Sequence, residues 1–148
     1  MNHHKGKFDF LMMWSSNVLF TFLIAMSLMS DVEGCDCAQE TNKDKFCRAK
    51  FVLQGKINGV INAGLKVKYE VEVLYSFRFR ENHNVIIESS SDSAMCGQLL
   101  TKGKIYLLSG TKNSYGRYET ENCWWNQYWA DVPHDIQTKL MSRTYANC

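Results

Sequence analysis

Residues 65–79 read LKVKYEVEVLYSFRF, with an apolar residue at every odd position and, apart from Leu74, a polar residue at every even one. This period of two is typical of a β-strand with one buried face, and Val, Tyr and Phe are residues that strands favour. A strand of this length either curls, as strands do in a small barrel, or is two strands that share a bend. The stretch therefore predicts a mainly β fold.

Shorter strand candidates flank this stretch. Before it, the mostly apolar run 50–57 ends at the turn signal Asn58-Gly59, and a second break follows at 62–64. After it, further strands are predicted at 85–87, 104–109 and 115–123.

The C-terminal end predicts a helix over about 132–144. Asp131 is suited to cap this helix, and Pro133 fits its first turn. Apolar side chains recur on one helical face, namely Val132, Ile136, Leu140 and Tyr145. Five short strands and a C-terminal helix predict a five-stranded, OB-like Greek-key barrel.

All six cysteines lie after residue 34. They are Cys35, Cys37, Cys47, Cys96, Cys123 and Cys148. An even number of cysteines in a short secreted chain indicates three disulfides, and the sequence alone leaves their pairing open. Cys-x-Cys also occurs in zinc sites, but no Cys-x-x-Cys and no Cys/His pair at zinc spacing accompanies it. We therefore expect disulfides, formed in an oxidising compartment.

The first 34 residues are predicted to be a secretory signal peptide. After a basic start, residues 10–30 carry no charge and contain an apolar core of the expected length. Val32 and Gly34 are suitable residues at the −3 and −1 positions of a cleavage site. The alternative is an uncleaved membrane anchor, although several polar residues weaken such a span. We expect a secreted, extracellular protein whose mature chain begins with the free amine of Cys35.

Charge and motifs exclude several functional classes. The 17 basic and 15 acidic residues leave a net charge of +2, which is too weak to indicate nucleic-acid binding. His83 and His134 are the histidines of the mature chain, and both lie in polar, loop-like surroundings without a nucleophile nearby. Gly-x-Ser-x-Gly, His-Glu-x-x-His and phosphate-loop motifs are absent from the sequence. We therefore predict that the protein is not an enzyme.

An aromatic cluster follows Cys123 and comprises Trp124, Trp125, Tyr128 and Trp129. Such residues either pack in a core around disulfides or form a binding surface. Core packing is expected for at least two of them. Because neighbouring strand residues face opposite ways, one of Trp124 and Trp125 is expected to be exposed.

Several short motifs occur in order along residues 35–148. They are Cys35-x-Cys37 with Cys47, Val-Leu-Gln-Gly-Lys at 52–56, Tyr-Glu-Val-Glu at 69–72, Met-Cys-Gly at 95–97, Tyr-Leu-Leu-Ser-Gly at 106–110, and finally Cys123, Trp129, Gln137, Tyr145 and Cys148. In this order they resemble the N-terminal, netrin-like domain of the tissue inhibitors of metalloproteinases. The family's second six-cysteine domain is not part of this sequence, so we expect no partnership that depends on it, such as proenzyme binding.

The resemblance implies a netrin-type OB-like barrel over 35–148 and three specific disulfides. These are Cys35–Cys96, Cys37–Cys123 and Cys47–Cys148. The first two would join two segments into one target-binding ridge. The residues of this ridge are Cys35, Asp36, Cys37, Ala38, Gln39, Ser93, Ala94, Met95, Cys96 and Gly97.

The resemblance also implies a function, inhibition of secreted or cell-surface zinc metalloproteinases. The amine nitrogen and carbonyl oxygen of Cys35 would chelate the zinc of the target enzyme, because a catalytic zinc keeps one position open for water. Asp36 would enter the target's specificity pocket, and 37–39 would continue as a substrate does. The inhibitor needs no cofactor of its own, and we expect a monomer with no membrane contact after signal cleavage.

Asp36 departs from the family pattern, in which the second residue is usually Thr or Ser. A carboxylate in a largely apolar pocket costs several kcal/mol unless a basic partner or a proton compensates. We therefore expect weak or shifted inhibition, or a target whose pocket carries a cation. The alternative function is a non-inhibitory, secreted netrin-type module that binds matrix or receptor partners.

Overall fold

The computed structural model describes residues 35–79 and 83–148, so the predicted signal peptide lies outside the described residues. In the described part, six strands are present: β1 Phe51–Ala63, β2 Lys66–Arg78, β3 Val85–Ser90, β4 Ile105–Lys112, β5 Tyr118–Glu119 and β6 Gln127–Tyr128. The same part contains the α-helices α1 Asn42–Arg48 and α2 His134–Met141, with 3₁₀ helices at Ser93–Met95 and Trp129–Asp131. None of these helices is long and apolar enough to cross a membrane.

Five of the strands close into a barrel. Antiparallel pairing joins β1 to β2, β2 to β3, and β4 to both β5 and β1, while β3 and β5 pair in parallel. β6 adds to β4 through the pairs Tyr106↔Tyr128 and Leu107↔Gln127. The predicted mainly β barrel with a C-terminal helix and three disulfides is confirmed, and β6 is an addition to the five predicted strands.

β1 continues through Asn58 and Gly59, so the turn predicted there is wrong. Asn58 is an extra residue in the pairing with β2, which makes a β-bulge. The next residue is Gly59, where the Glu70 carboxylate of β2 fills the space that a Cβ atom would take. The chain turns instead at Gly64, whose φ of 69° is positive, within the second predicted break.

β2 is one curled strand, the first of the two alternatives. Its pairing with β1 skips Leu74 and Phe77, so two bulges bend it. The predicted alternation holds in the first half of β2, where the odd residues are buried. It fails at Leu65 and Phe79, which are exposed, because the first lies in the turn before β2 and the second follows its end.

Two cores lie on opposite faces of β1 and β4. The core inside the barrel contains Phe51, Leu53, Ile57, Tyr69, Ile87 and Leu108, among others. The core outside the barrel contains Phe46, Val52, Leu107, Trp125 and Leu140, among others. Because the start of β1 and the first half of β4 lie between the two cores, residues 51–53 and 105–108 read as continuous apolar runs.

α2 covers the outer core, as predicted, although it is shorter than 132–144. Leu140 is buried and Ile136 packs against the same core. The N-cap position of the helix is occupied by Pro133 and not by Asp131, and no side chain makes a capping hydrogen bond there. Asp131 instead ends the preceding 3₁₀ helix, in which Val132 N donates to the carbonyl of Trp129.

The strand predicted at 115–123 is reduced to the two residues of β5. The side chain of Asn113 accepts hydrogen bonds from the backbone N–H groups of Tyr115 and Arg117, both at 3.0 Å. These bonds hold the chain in a turn where the sequence predicted a strand.

A buried carboxylate supports the short contact between β3 and β5. Glu88 is 4% exposed, and its carboxylate lies 3.3 Å from Lys66 Nζ and 3.2 Å from Lys68 Nζ. Lys66 also reaches Glu119 on β5, at 3.3 Å. Burial on its own raises the pKa of Glu88, but the hydrogen bonds from Lys68 and Lys66 outweigh burial and hold that pKa below its ordinary value. The ionised cluster therefore links β2, β3 and β5.

Candidate functional site

Residues 35–41 form neither a helix nor a strand. Three disulfides are present, and their pairs are those that the family resemblance implied: Cys35–Cys96, Cys37–Cys123 and Cys47–Cys148, with Cα–Cα distances of 5.5, 5.3 and 5.5 Å. The first two bind the N-terminal segment to two distant parts of the chain. The structure thus brings the two predicted ridge segments, 35–39 and 93–97, together.

The second ridge segment is a tight turn around the 3₁₀ helix Ser93–Met95. The carboxylate of Asp92 accepts a hydrogen bond from Ala94 N at 2.9 Å, and the carbonyl of Asp92 accepts one from Gly97 N at 3.0 Å. Cys96 takes a left-handed conformation, with φ of 59°. The local sequence therefore closes the turn by itself and presents the Cys96 sulfur to Cys35.

The turn rests directly on the barrel. Gly97 is buried, and a Cβ atom there would collide with the carbonyl oxygen of Ser90. Next to it, Ser89 Oγ accepts from Gln98 N at 2.8 Å. The hydroxyl of Tyr69 donates to the carbonyl of Gln98 at 2.7 Å and accepts from Leu100 N at 3.2 Å. Burial raises the pKa of Tyr69 above its ordinary value, so the hydroxyl keeps the proton that it donates. The second ridge segment is therefore anchored in the barrel core.

The first ridge segment has alternating exposure. Cys35 and Cys37 are half-buried by their disulfides, whereas Asp36, Ala38 and Gln39 are exposed. Within the described residues, no backbone N–H donates to the carbonyl oxygen of Cys35, which lies 4.0 Å from the disulfide-bonded Cys37 Sγ. In the same residues, no side chain forms an ion pair or hydrogen bond with the exposed Asp36. The Asp36 carboxylate is therefore accessible to a partner, and the Cys35 carbonyl has no backbone donor there.

Helix α1 follows this segment and was not predicted from the sequence. It begins with a capping box, in which Thr41 Oγ1 accepts from Asp44 N at 3.2 Å while Thr41 N donates to the Asp44 carboxylate at 3.3 Å. The spacing Thr-x-x-Asp is the signal that indicates such a start. A helix of seven residues carries too little periodicity to be recognised by its pattern.

Arg48, the last residue of α1, contacts Glu40, the residue that follows the first ridge segment, and the sequence did not single it out. Its Nε donates to Glu40 Oε2 at 2.7 Å, and its Nη2 donates to the carbonyl oxygen of Cys123. Its guanidinium lies 4.2 Å from the ring centroid of Trp124.

Neither of the two adjacent tryptophans is exposed, so the expectation that one of them would be is wrong. Trp125 is buried in the outer core, and Trp124 is half-buried because it packs against that core and lies beneath the Arg48 guanidinium.

The other candidate groups lie away from the ridge. His83 and His134 are exposed, the first shortly before β3 and the second at the start of α2. Within residues 35–79 and 83–148, no three His, Cys, Asp or Glu side chains are grouped as metal ligands are. The ridge is the site at which the described chain presents an exposed carboxylate, that of Asp36, on a segment held by two disulfides.

Two comparisons with known proteins bear on this site. A protein-family model described as "Tissue inhibitor of metalloproteinase" matches residues 33–148. The chain is also 26% identical over 122 residues to "Uncharacterized shell protein 1" of Margaritifera margaritifera, a match that covers 78% of this chain and 82% of that protein. The family match includes the whole barrel, both ridge segments and all six cysteines, and the chain therefore belongs to the tissue inhibitor of metalloproteinase family.

Proposed function

We propose that the mature protein begins at Cys35, is secreted into the extracellular space and inhibits zinc metalloproteinases. The observation that carries this proposal is the first disulfide, which joins Cys35 to the closed turn at 93–97, while no backbone N–H of the described residues donates to the Cys35 carbonyl. Family membership supports the same class of function. Because fold alone does not decide function, the proposal depends on the chemistry of Cys35.

The amine and the carbonyl of one residue close a five-membered chelate ring on a metal. An α-amino group titrates near neutral pH, so its neutral, metal-binding form is accessible there. A catalytic zinc has three protein ligands and a water, and the Cys35 amine and carbonyl would take the place of that water. The two disulfides hold the ridge in its bound shape before it meets the enzyme, which reduces the ordering cost of association.

Zinc dependence tests this proposal. We expect the protein that begins at Cys35 to bind a zinc-loaded metalloproteinase catalytic domain on the order of a hundredfold more tightly than the zinc-free domain, a difference of about 2.8 kcal/mol. Titration calorimetry measures both affinities, with circular dichroism to establish that the zinc-free domain stays folded. Restoring zinc should restore the affinity. Equal binding to both forms would contradict the chelate.

Asp36 is proposed to set the choice of target. Its exposed carboxylate has no partner among the described residues, so a target pocket that receives it must supply a cation or a polar lining. We expect Asp36→Thr to lower the Ki for enzymes with apolar pockets by about tenfold, because it removes the cost of desolvating the carboxylate.

The matched control is Asp36→Asn, which keeps the shape of the side chain and removes its charge. If charge is the obstacle, Asn should recover a large part of the gain, and inhibition assays against a panel of catalytic domains measure it. A rise in Ki across the panel for both variants would show that the pocket favours the carboxylate.

Asp36 also favours a second candidate function, a non-inhibitory module that binds matrix or receptor partners. The relative described as a shell protein is consistent with a matrix partner. In that case the protein should bind no metalloproteinase through its zinc, so the calorimetric experiment separates the two functions.

A further inference from the structure

We infer that Arg48 is a positioning residue for inhibition, which fixes the course of the chain just after the chelating residue. This inference rests on the proposed function. It concerns a side chain of α1 that would not itself contact the zinc, and it acts through the segment 36–40.

The two disulfides leave this segment incompletely fixed. They hold the side chains of Cys35 and Cys37, but Ala38 to Glu40 belong to no helix or strand. Among the described residues, the Glu40 carboxylate is the one polar group of 38–40 that is bonded to another part of the chain. Its partner is Arg48, so this contact determines where the segment runs after the second disulfide.

Arg48 connects three parts of the site through one planar group. Its guanidinium binds Glu40, which directly follows the first ridge segment, and the backbone carbonyl of Cys123, which belongs to the second disulfide. It also lies over the face of Trp124. The two hydrogen bonds leave from different nitrogens, which a guanidinium provides in a fixed geometry and an ammonium does not. About a third of the Arg48 side chain and a quarter of the Glu40 side chain are exposed, at 34% and 26%.

Arg78 offers a matched control. Its Nη1 donates to the carbonyl of Phe46 at 3.1 Å and lies 3.0 Å from Cys148 Sγ, and its guanidinium lies 5.6 Å from the Phe46 ring centroid. Arg78, at the end of β2, thus resembles Arg48 in donating to a backbone carbonyl and lying near an aromatic ring, and its contacts are with Phe46 of α1 and with the third disulfide. Unlike Arg48, it forms no ion pair with a carboxylate of the described residues. It makes no contact with residues 35–40 within the described part of the chain.

The experiment compares Arg48→Gln, Arg48→Lys and Arg78→Gln in the protein that begins at Cys35. For each we would measure Ki against an enzyme that the unsubstituted protein inhibits, the NMR order parameters of the backbone N–H groups at 36–40 in the free protein, and Tm. Arg48→Gln should raise Ki about tenfold and lower the order parameters of the segment from about 0.85 to below about 0.6, because the ordering cost moves into the binding step. Arg48→Lys should behave nearly as Arg48→Gln.

Arg78→Gln should lower Tm about as much as Arg48→Gln while leaving Ki within about twofold of the unsubstituted protein and the order parameters at 36–40 unchanged, on the additivity expected for separate sites. An equal rise of Ki in both variants would overturn the inference, since a general loss of stability would then explain it. Unchanged order parameters in Arg48→Gln would also overturn it. Order parameters are measured on the free protein, so their result stands apart from the outcome for the proposed function, which fails if the unsubstituted protein inhibits no zinc metalloproteinase.

Discussion

One additional residue before Cys35 is expected to raise Ki by a hundredfold or more. The extra residue converts the amine into an amide nitrogen, which does not donate an electron pair to zinc at neutral pH, and it occupies the space in which the metal would lie. Losing the chelate costs about 2.8 kcal/mol or more, since each tenfold in affinity is about 1.4 kcal/mol. The fold should be unaffected, because the amine of Cys35 takes no part in the barrel.

The sharpest version of this experiment uses one preparation before and after cleavage. The protein is made with a short N-terminal extension that a site-specific protease removes to leave Cys35 first. Ki is measured before cleavage, after it, and after mock treatment with an inactive protease. Inhibition that is equally strong before cleavage would show that the Cys35 amine does not bind the zinc.

Removing the second disulfide is expected to raise Ki on the order of a hundredfold, whereas removing the third is expected to cost only stability. The pairs Cys37–Cys123 and Cys47–Cys148 span 86 and 101 residues. In the chain-entropy account of disulfides, the stabilisation grows with the logarithm of the loop length, so each pair contributes about 4.6 kcal/mol and the two are nearly equal. Of these two disulfides, Cys37–Cys123 holds the ridge and Cys47–Cys148 does not.

The comparison is therefore Cys37→Ser/Cys123→Ser against Cys47→Ser/Cys148→Ser. Chemical denaturation should give similar losses in the free energy of unfolding, and Ki is then measured at a temperature at which both remain folded. We expect on the order of a hundredfold higher Ki for the first double variant and a change within threefold for the second, again at about 1.4 kcal/mol per tenfold. Similar Ki values for both would mean that the disulfides act only through overall stability.

The fold was largely predictable from the sequence because the residues of β2 alternate between apolar and polar, and this alternation indicates a strand with one buried face. The alternation in 65–79 follows from a sheet with one buried face, and the helical face of 132–145 follows from the need to cover the outer core. Asn58-Gly59 was misread because the same pair of residues suits a turn and a bulge. The difference lies in the pairing of β1 with β2, which skips Asn58 and which a local pattern does not contain.

The candidate site was predictable only in part. The two ridge segments and their disulfides came from the resemblance to a family, since no spacing rule pairs Cys35 with Cys96. The role of Arg48 in the site was not predicted, because the acceptor of its second hydrogen bond, the carbonyl oxygen of Cys123, lies 75 residues away in the sequence. Glu40 is only eight residues from Arg48, but an isolated acid and base at that spacing are common on any surface.

The disulfide pattern has a consequence for biosynthesis. Cys35, Cys37 and Cys47 leave the ribosome first, yet their partners follow 61, 86 and 101 residues later. At synthesis rates of about 5–20 residues per second, roughly 3 to 20 seconds pass before these partners are made. In that interval an oxidant can pair the three early thiols only with one another, and any bond so formed must be exchanged to reach the native pairs. Under the proposed function, Cys35 would therefore serve as the chelating residue only after the second half of the chain has been made and oxidised.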